Sequence, residues 1–265
     1  MILPNLAAPG DARAPFKPEV RIAADRTALS RAAAMEWIAQ SRASIEAKGS
    51  FTVCLSGGST PREFYALLAT DPSFRRELPW DKIHFFWGDE RHVPPSHPDS
   101  NYRMAMVALL SKVPVPPENI HPIRAENPDA SQAAVEYEET LRDFFRLKGG
   151  EFPRFDCVLL GMGADGHTAS LFPGTEALQE RRRLVVANWV ENFHAYRMTL
   201  TIPVFNEAAF LLFLVSGEEK AARVKAVLED EGPEPFPCQL IRPSRGRLVW
   251  LVDRMAAHLL QKFPD

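Results

Sequence analysis

The sequence is short of several things. Its 265 residues include three cysteines, an odd number that makes no disulfide framework. Cys54 and Cys157 sit in apolar, strand-like runs and Cys238 among prolines. This usage reads as reduced, structural thiols in a cytoplasmic setting. No run approaches 18 apolar residues, so no membrane-spanning helix is expected. There is no long basic block and the formal net charge is −3, so neither nucleic acid nor an anionic membrane is expected as a partner. Met1 to Phe16 lacks a charged start followed by an apolar block, and reads as a loose leader rather than a signal peptide. No Gly-x-Ser-x-Gly elbow occurs, and there is no internal repeat or clean linker.

What is present is a core-forming composition, 46% hydrophobic and 25% charged, laid out as strands and helices in alternation. Asp25 to Ala47 reads as a helix with Ala34, Trp37, Ile38 and Ile45 on one face and Gly49 as its stop. Short apolar runs at 51–55, 83–87, 157–160, 210–215 and 248–252 read as buried strands, and 184–187 and 197–202 as further strands. Helices are expected at 101–110, from Asn127-Pro128 to about Leu147, and at 218–228, with Asp253 capping a last one. Crossovers of helical length imply an α/β fold. It is an open, doubly wound, Rossmann-like and mainly parallel sheet with helices on both faces. Residues 1–18 are assigned to the leader and 19–265 to a single α/β catalytic domain. The polar turns at Ser56, Gly88, Gly161 and Ser216 all follow strands, so they share one sheet edge and face one crevice.

Three of these turns carry candidate chemistry. Gly161-Met-Gly-Ala-Asp165-Gly-His167 holds an acid and a histidine among glycines that allow sharp bends and close approach to a ligand. Histidine is the side chain suited to moving a proton near neutrality, although Gly and Asp also serve such turns for geometry alone. Ser56-Gly57-Gly58-Ser59-Thr60-Pro61-Arg62-Glu63 is neither a Walker A motif nor a dinucleotide fingerprint. Thr60 as N-cap, Pro61 at the first helical position and Glu63 complete a capping-box pattern. A glycine loop leading into a helix N-terminus suits a phosphate monoester, and a well-capped helix without a ligand has the same sequence. Asp89-Glu90-Arg91-His92 follows the third strand. A metal held by Asp89, His92, His97 and Asp99 is disfavoured by loose spacing on a Pro-rich loop. Lys220 falls in a helix's first turn, where a cation is unfavourable unless an anion offsets it. Arg197 is either an anion ligand or half of an ion pair at the sheet edge.

Leu55 to Pro61, Trp87 to Pro94, Gly161 to Pro173, Arg197-Met-Thr-Leu-Thr201 and Ser216-Gly-Glu-Glu-Lys220-Ala221 together resemble the 6-phosphogluconolactonases, over nearly the whole chain after the leader. The Gly-x-Gly-x-Asp-Gly-His element is shared with glucosamine-6-phosphate deaminases, and Ala-Ser-Leu-Phe-Pro points to the lactonase branch. The resemblance implies the deaminase/lactonase type of fold and a carboxylic ester hydrolase acting on 6-phospho-D-glucono-1,5-lactone, in the oxidative pentose phosphate pathway. It implies no cofactor and no metal, a small sugar-phosphate lactone as partner, and a monomer or homodimer. By similarity His167 is the general base with Asp165 beside it. Gly57, Gly58, Ser59, Thr60, Asp89, Arg91, Arg197 and Lys220 are the candidates for substrate and phosphate. Asp89 is left three roles: to orient His167, to orient Arg91, or to bind a sugar hydroxyl.

Overall fold

The computed structural model describes residues 18–230 and 232–263. The expected leader lies, but for Pro18, outside the described residues. In chain order the strands are β1 (Glu19–Ala23), β2 (Phe51–Leu55), β3 (Ile83–Trp87), β4 (Asp89–Arg91), β5 (Cys157–Leu160), β6 (Val185–Val190), β7 (Ala195–Leu200), β8 (Phe210–Val215) and β9 (Arg247–Asp253). The helices are α1 (Arg26–Lys48), α2 (Ser59–Thr70), α3 (Pro72–Arg75), α4 (Asn101–Ala108), α5 (Ala130–Phe145), α6 (Ile202–Glu207), α7 (Ala221–Leu228) and α8 (Arg254–Ala257).

Six strands form one sheet in the order β1-β9-β8-β5-β2-β3, and every pairing in it is parallel. Such strands are covered on both faces, which is why β2, β5 and β8 are buried throughout and nearly all apolar. The two faces separate along β3. Phe85 packs toward Trp37 of α1, which also meets Phe64 of α2. Phe86, one residue on, turns to Phe144 of α5 and to Phe155, as strand alternation requires. Trp37 is fully buried, and truncating such a ring costs about 3–5 kcal/mol.

Several helix ends are set by local chemistry. Asp25 caps α1 by accepting the Ala28 amide at 2.7 Å, and Gly49 ends it in the left-handed region. Asp253 caps α8 through the Ala256 amide. Helix α5 starts later than the Asn127-Pro128 pattern suggests. Asp129 is its N-cap, and the Asn127 side chain accepts the Asp129 amide in a preceding turn.

Two features of the sheets depart from the sequence expectation. Strand β1 adds to the edge of the sheet beside β9. A second sheet, β4-β7-β6, is antiparallel. It takes in the Asp89–Arg91 segment, read from sequence as a plain polar turn. All three cysteines are free and buried, and burial pushes the Cys238 thiol up to about 12. Among the described residues no helix is long and apolar enough to cross a membrane.

Strand order fixes where a ligand can bind. From β2 the chain moves outward to β3, then returns to the other side of β2 as β5 and continues outward through β8 and β9. The order therefore reverses between β2 and β5. In an open parallel sheet the crevice lies at the carboxyl ends of such a pair.

Candidate active site

A cleft of about 240 Å³ opens at that point, and its lining brings together Gly57, Gly58, Ser59, Thr60, Asp89, Arg91, His167 and Lys220. Four strand ends contribute: those of β2, β3 through β4, β5 and β8. Asp165 and Arg197, both expected in the site, are not in this lining.

On the β2 side, helix α2 begins at Ser59 with Gly58 as N-cap, and no side chain caps it. The expected capping box does not form. Because the helix starts before Thr60, that hydroxyl no longer sits at the N-cap. Glu63 instead pairs with Arg26 at 3.0 Å. An uncapped first turn keeps N–H donors for an anion, and the helix dipole favours one there. Gly57 is required by crowding, since a Cβ on it would fall inside the Asn101 side chain.

The turn after β5 is tied down from several directions. The Gly163 amide donates to the His167 carbonyl at 2.8 Å, and Thr168 Oγ1 donates to the Gly161 carbonyl at 2.8 Å. A Cβ on Gly163 would overlap the His167 ring. Gly161 to Gly166 has the spelling of a dinucleotide fingerprint, but no α-helix follows it before Ile202, so the context that motif needs is missing.

His167 lies between Asp165 and Phe172. Its Nδ1 is 2.5 Å from Asp165 Oδ1, and the Phe172 ring centroid is 4.1 Å from its own. A carboxylate only accepts, so Nδ1 carries the proton and Nε2 is left with a lone pair. Burial would raise the Asp165 carboxyl, but the His167 amide and imidazole outweigh it and hold it below the usual carboxylate range. Asp165 itself borders the next groove, beside Phe172 and Tyr196. It acts on the cleft through His167.

On the β3 side, β4 and β7 place Arg91 directly opposite Arg197. Like charges facing each other across a ladder are destabilising. Arg197 is half-buried, and its guanidinium stands 4.8 Å from the Phe193 ring centroid. Burial, then the Arg91 charge, push its pKa down. Among the described residues no carboxylate lies within ion-pair distance of it. It lines a hollow next to the cleft, and the two share Arg91. Arg91 donates from Nη1 to the Asp99 carbonyl at 2.6 Å, while its Nε is buried without a partner. Two adjacent cations with spare donors form a setting that an anion would stabilise.

Asp89 orients neither His167 nor Arg91. Its carboxylate accepts from Asn101 Nδ2 at 3.3 Å and from Ser170 Oγ at 2.7 Å. Ser216, which opens the fourth polar turn, lines the cleft as well. Asn101 also lines it and was read from sequence only as the start of a helix, since it lies in no motif with a chemical signature. His92 Nε2 donates to the Asn127 carbonyl at 2.7 Å, and His97 stands beside Asp99 on the surface. Among the described residues no three His, Cys, Asp or Glu side chains are grouped so as to hold a metal ion.

A sheet reversal, an open helix N-terminus and an Asp–His turn on one cleft invite comparison with known proteins. Residues 24–250 match the family described as glucosamine-6-phosphate isomerases/6-phosphogluconolactonase. The chain belongs to this family. Within the glucosamine-6-phosphate isomerase/6-phosphogluconolactonase family, a Synechocystis protein named 6-phosphogluconolactonase is 44% identical over 218 residues, 82% of this chain and 88% of that one. A Nostoc protein of the same name is 43% identical over 91% of this chain and 98% of its own length. Among solved structures, 6-phosphogluconolactonase from Trypanosoma cruzi superposes with a TM-score of 0.81 at 30% identity, covering 93% of this chain and 98% of that one. A monomeric glucosamine-6-phosphate deaminase, at 22% identity and a TM-score of 0.75 over 91% of this chain and all of that one, shares the fold.

Proposed function

We propose that this protein hydrolyses 6-phospho-D-glucono-1,5-lactone to 6-phospho-D-gluconate, with His167 as general base. The observation that carries the reading is His167, held by Asp165 from behind and set on the same cleft as the uncapped start of α2. The names of its relatives support the substrate. In the reaction, Nε2 of His167 takes a proton from water as the water oxygen bonds to the lactone carbonyl carbon. When the tetrahedral intermediate collapses, the bond from that carbon to the ring oxygen breaks. The ring oxygen takes the proton back from His167 and becomes a hydroxyl, and the carboxylic acid ionises. A lactone is an activated ester, so base catalysis of water, contributing about 10²–10⁴-fold, suffices without a covalent intermediate.

The 6-phosphate takes the Gly57–Thr60 loop, with Lys220 and Arg91 as flanking cations, each charge-assisted bond contributing roughly 1.5–3 kcal/mol. Arg197, opposite Arg91, adds to the positive field from the neighbouring hollow. The phosphate also accounts for Lys220 at the start of a helix, where a cation is otherwise unfavourable.

The test is lactone disappearance. The lactone is generated in situ with glucose-6-phosphate dehydrogenase, and its loss is followed with and without the protein. Acceleration over the spontaneous rate is expected. Ammonia release from glucosamine 6-phosphate without lactone turnover would move the protein to the deaminase branch. Binding of 6-phosphogluconate with neither activity would make it a sugar-phosphate sensor.

A further inference from the structure

Three loops that are far apart in sequence meet at one carboxylate. Asn101, the first residue of α4, donates from Nδ2 to the Asp89 carbonyl at 2.9 Å and to Asp89 Oδ1 at 3.3 Å. The same side chain packs against Gly57, joining Asp89 to the glycine loop. Ser170, three residues past His167, donates from Oγ to Asp89 Oδ2 at 2.7 Å. Both donors are buried, and Ser170 has no exposure at all.

Each donor is itself fixed. The Asn101 amide donates to Glu90 Oε1 at 2.7 Å, and the Tyr102 amide to Glu90 Oε2 at 2.7 Å. Glu90, buried beside Asp89, therefore seats the start of α4. Ser170 is held at its carbonyl by Asn188 Nδ2 at 2.9 Å. Its neighbour Ala169 has φ +49°, a left-handed conformation unfavourable for a residue with a Cβ. Strain of this kind persists where the surroundings over-determine it, and it clusters at functional sites. Here it turns the chain so that His167 faces the cleft while Ser170 reaches Asp89.

We propose that Ser170 and Asn101 are positioning residues that hold Asp89 as an acceptor in the cleft, and that Asp89 so held receives a hydroxyl of the bound sugar. A carboxylate has about four acceptor sites, these two donors occupy two of them, and Asp89 is among the residues that line the cleft. Its carboxylate is bonded to Asn101 and Ser170 and to neither His167 nor Arg91. This rests on the lactone reading above for the identity of the sugar.

The experiment is a pair of double-mutant cycles. Asp89→Asn is combined with Ser170→Ala and, separately, with Asn101→Ala. Each variant is read by 6-phosphogluconate binding in calorimetry and by kcat and KM on the lactone, with thermal melting to confirm folding. Ser170→Ala alone is expected to weaken product binding and raise KM by about ten- to a hundredfold, the scale of a hydrogen bond to a charged group, with kcat changed less than threefold. In the Asp89→Asn background the same substitution is expected to have less than a twofold effect, because coupled residues are non-additive. Asn101→Asp sets a second carboxylate beside the first. It is expected to raise KM more than Asn101→Ala and to make it more sensitive to pH, which loss of packing alone does not do. Equal factors in both backgrounds, or an unchanged KM in Ser170→Ala, would overturn the proposal. A wild type that binds 6-phosphogluconate without hydrolysing the lactone would sink the lactone reading and leave the cycles readable by binding. One that does neither would sink both.

Discussion

Replacing Asp165 with Asn tests how the histidine is held. In the native site Asp165 Oδ1 accepts from His167 Nδ1 at 2.5 Å and from the His167 amide at 3.1 Å. The charged bond therefore fixes both the ring orientation and the nitrogen that carries the proton. Asparagine keeps the shape but removes the charge, and it can present its NH2 group to Nδ1. The proton then shifts to Nε2, the nitrogen that has to accept from water. Hydrogen bonds to charged groups contribute about 1.5–3 kcal/mol. The Asp165 side chain is 45% exposed, so solvent screening favours the lower end. At 1.36 kcal/mol per decade, the expected loss in kcat is at least about tenfold. KM is expected to change little, because Asp165 is outside the cleft lining. Steady-state kinetics on lactone generated in situ, with product affinity measured alongside, reads both quantities. A variant with kcat within twofold of wild type would refute the idea that Asp165 sets the tautomer. A loss confined to KM would mean that it touches the substrate instead.

Lys220→Gln together with Thr60→Val is expected to raise KM on the lactone by at least about tenfold, on the scale of one charge-assisted bond, with a smaller change in kcat. The opposite split would move these residues from binding to chemistry. Gly57→Ala forces a Cβ into the Asn101 side chain, an overpacking of about 1–3 kcal/mol. Thermal melting should show a lower Tm, and an unchanged Tm would mean that Asn101 gives way freely. His84 and His121 stand 3.4 Å apart between Nδ1 and Nε2, packed on Phe86 and Phe144. Burial pushes His121 down to about 4, and burial followed by Lys48 lowers His84. A histidine whose folded value is depressed contributes stability above its unfolded value near 6.5, and that stability is lost as pH falls from there toward 4. Denaturant unfolding at pH 7 and pH 5 should show this loss, and His121→Phe should lessen it. An equal loss in the variant would place the acid sensitivity elsewhere.

The parallel strands were legible in the sequence because they are buried on both faces. β2, β3, β5 and β8 have the boundaries of their apolar runs. β1 was not legible, since its Glu-Val-Arg-Ile-Ala sequence is an edge strand of mixed polarity. β4 was hidden for a different reason. Asp89, Glu90 and Arg91 have the composition of a loop, and only pairing with β7, more than a hundred residues later, makes them a strand. The α2 start misled in a third way. Thr60 and Glu63 satisfy a capping pattern, but Gly58 lets the helix begin sooner and Arg26 takes the glutamate. At the site, the expected residues that line the cleft are those in compact motifs at strand ends. Asn101 and Ser170 escaped notice because their connection to Asp89 exists only in the fold. Asp165 and His167 are two residues apart, yet only the histidine reaches the cleft.

The most direct measurement of the central claim is lactone turnover by His167→Ala, paired with 6-phosphogluconate binding by the same variant. The account predicts that acceleration over the spontaneous rate falls by about 10²–10⁴-fold while product affinity stays within a few-fold of wild type. A variant that retains near-native turnover would contradict His167 as the base.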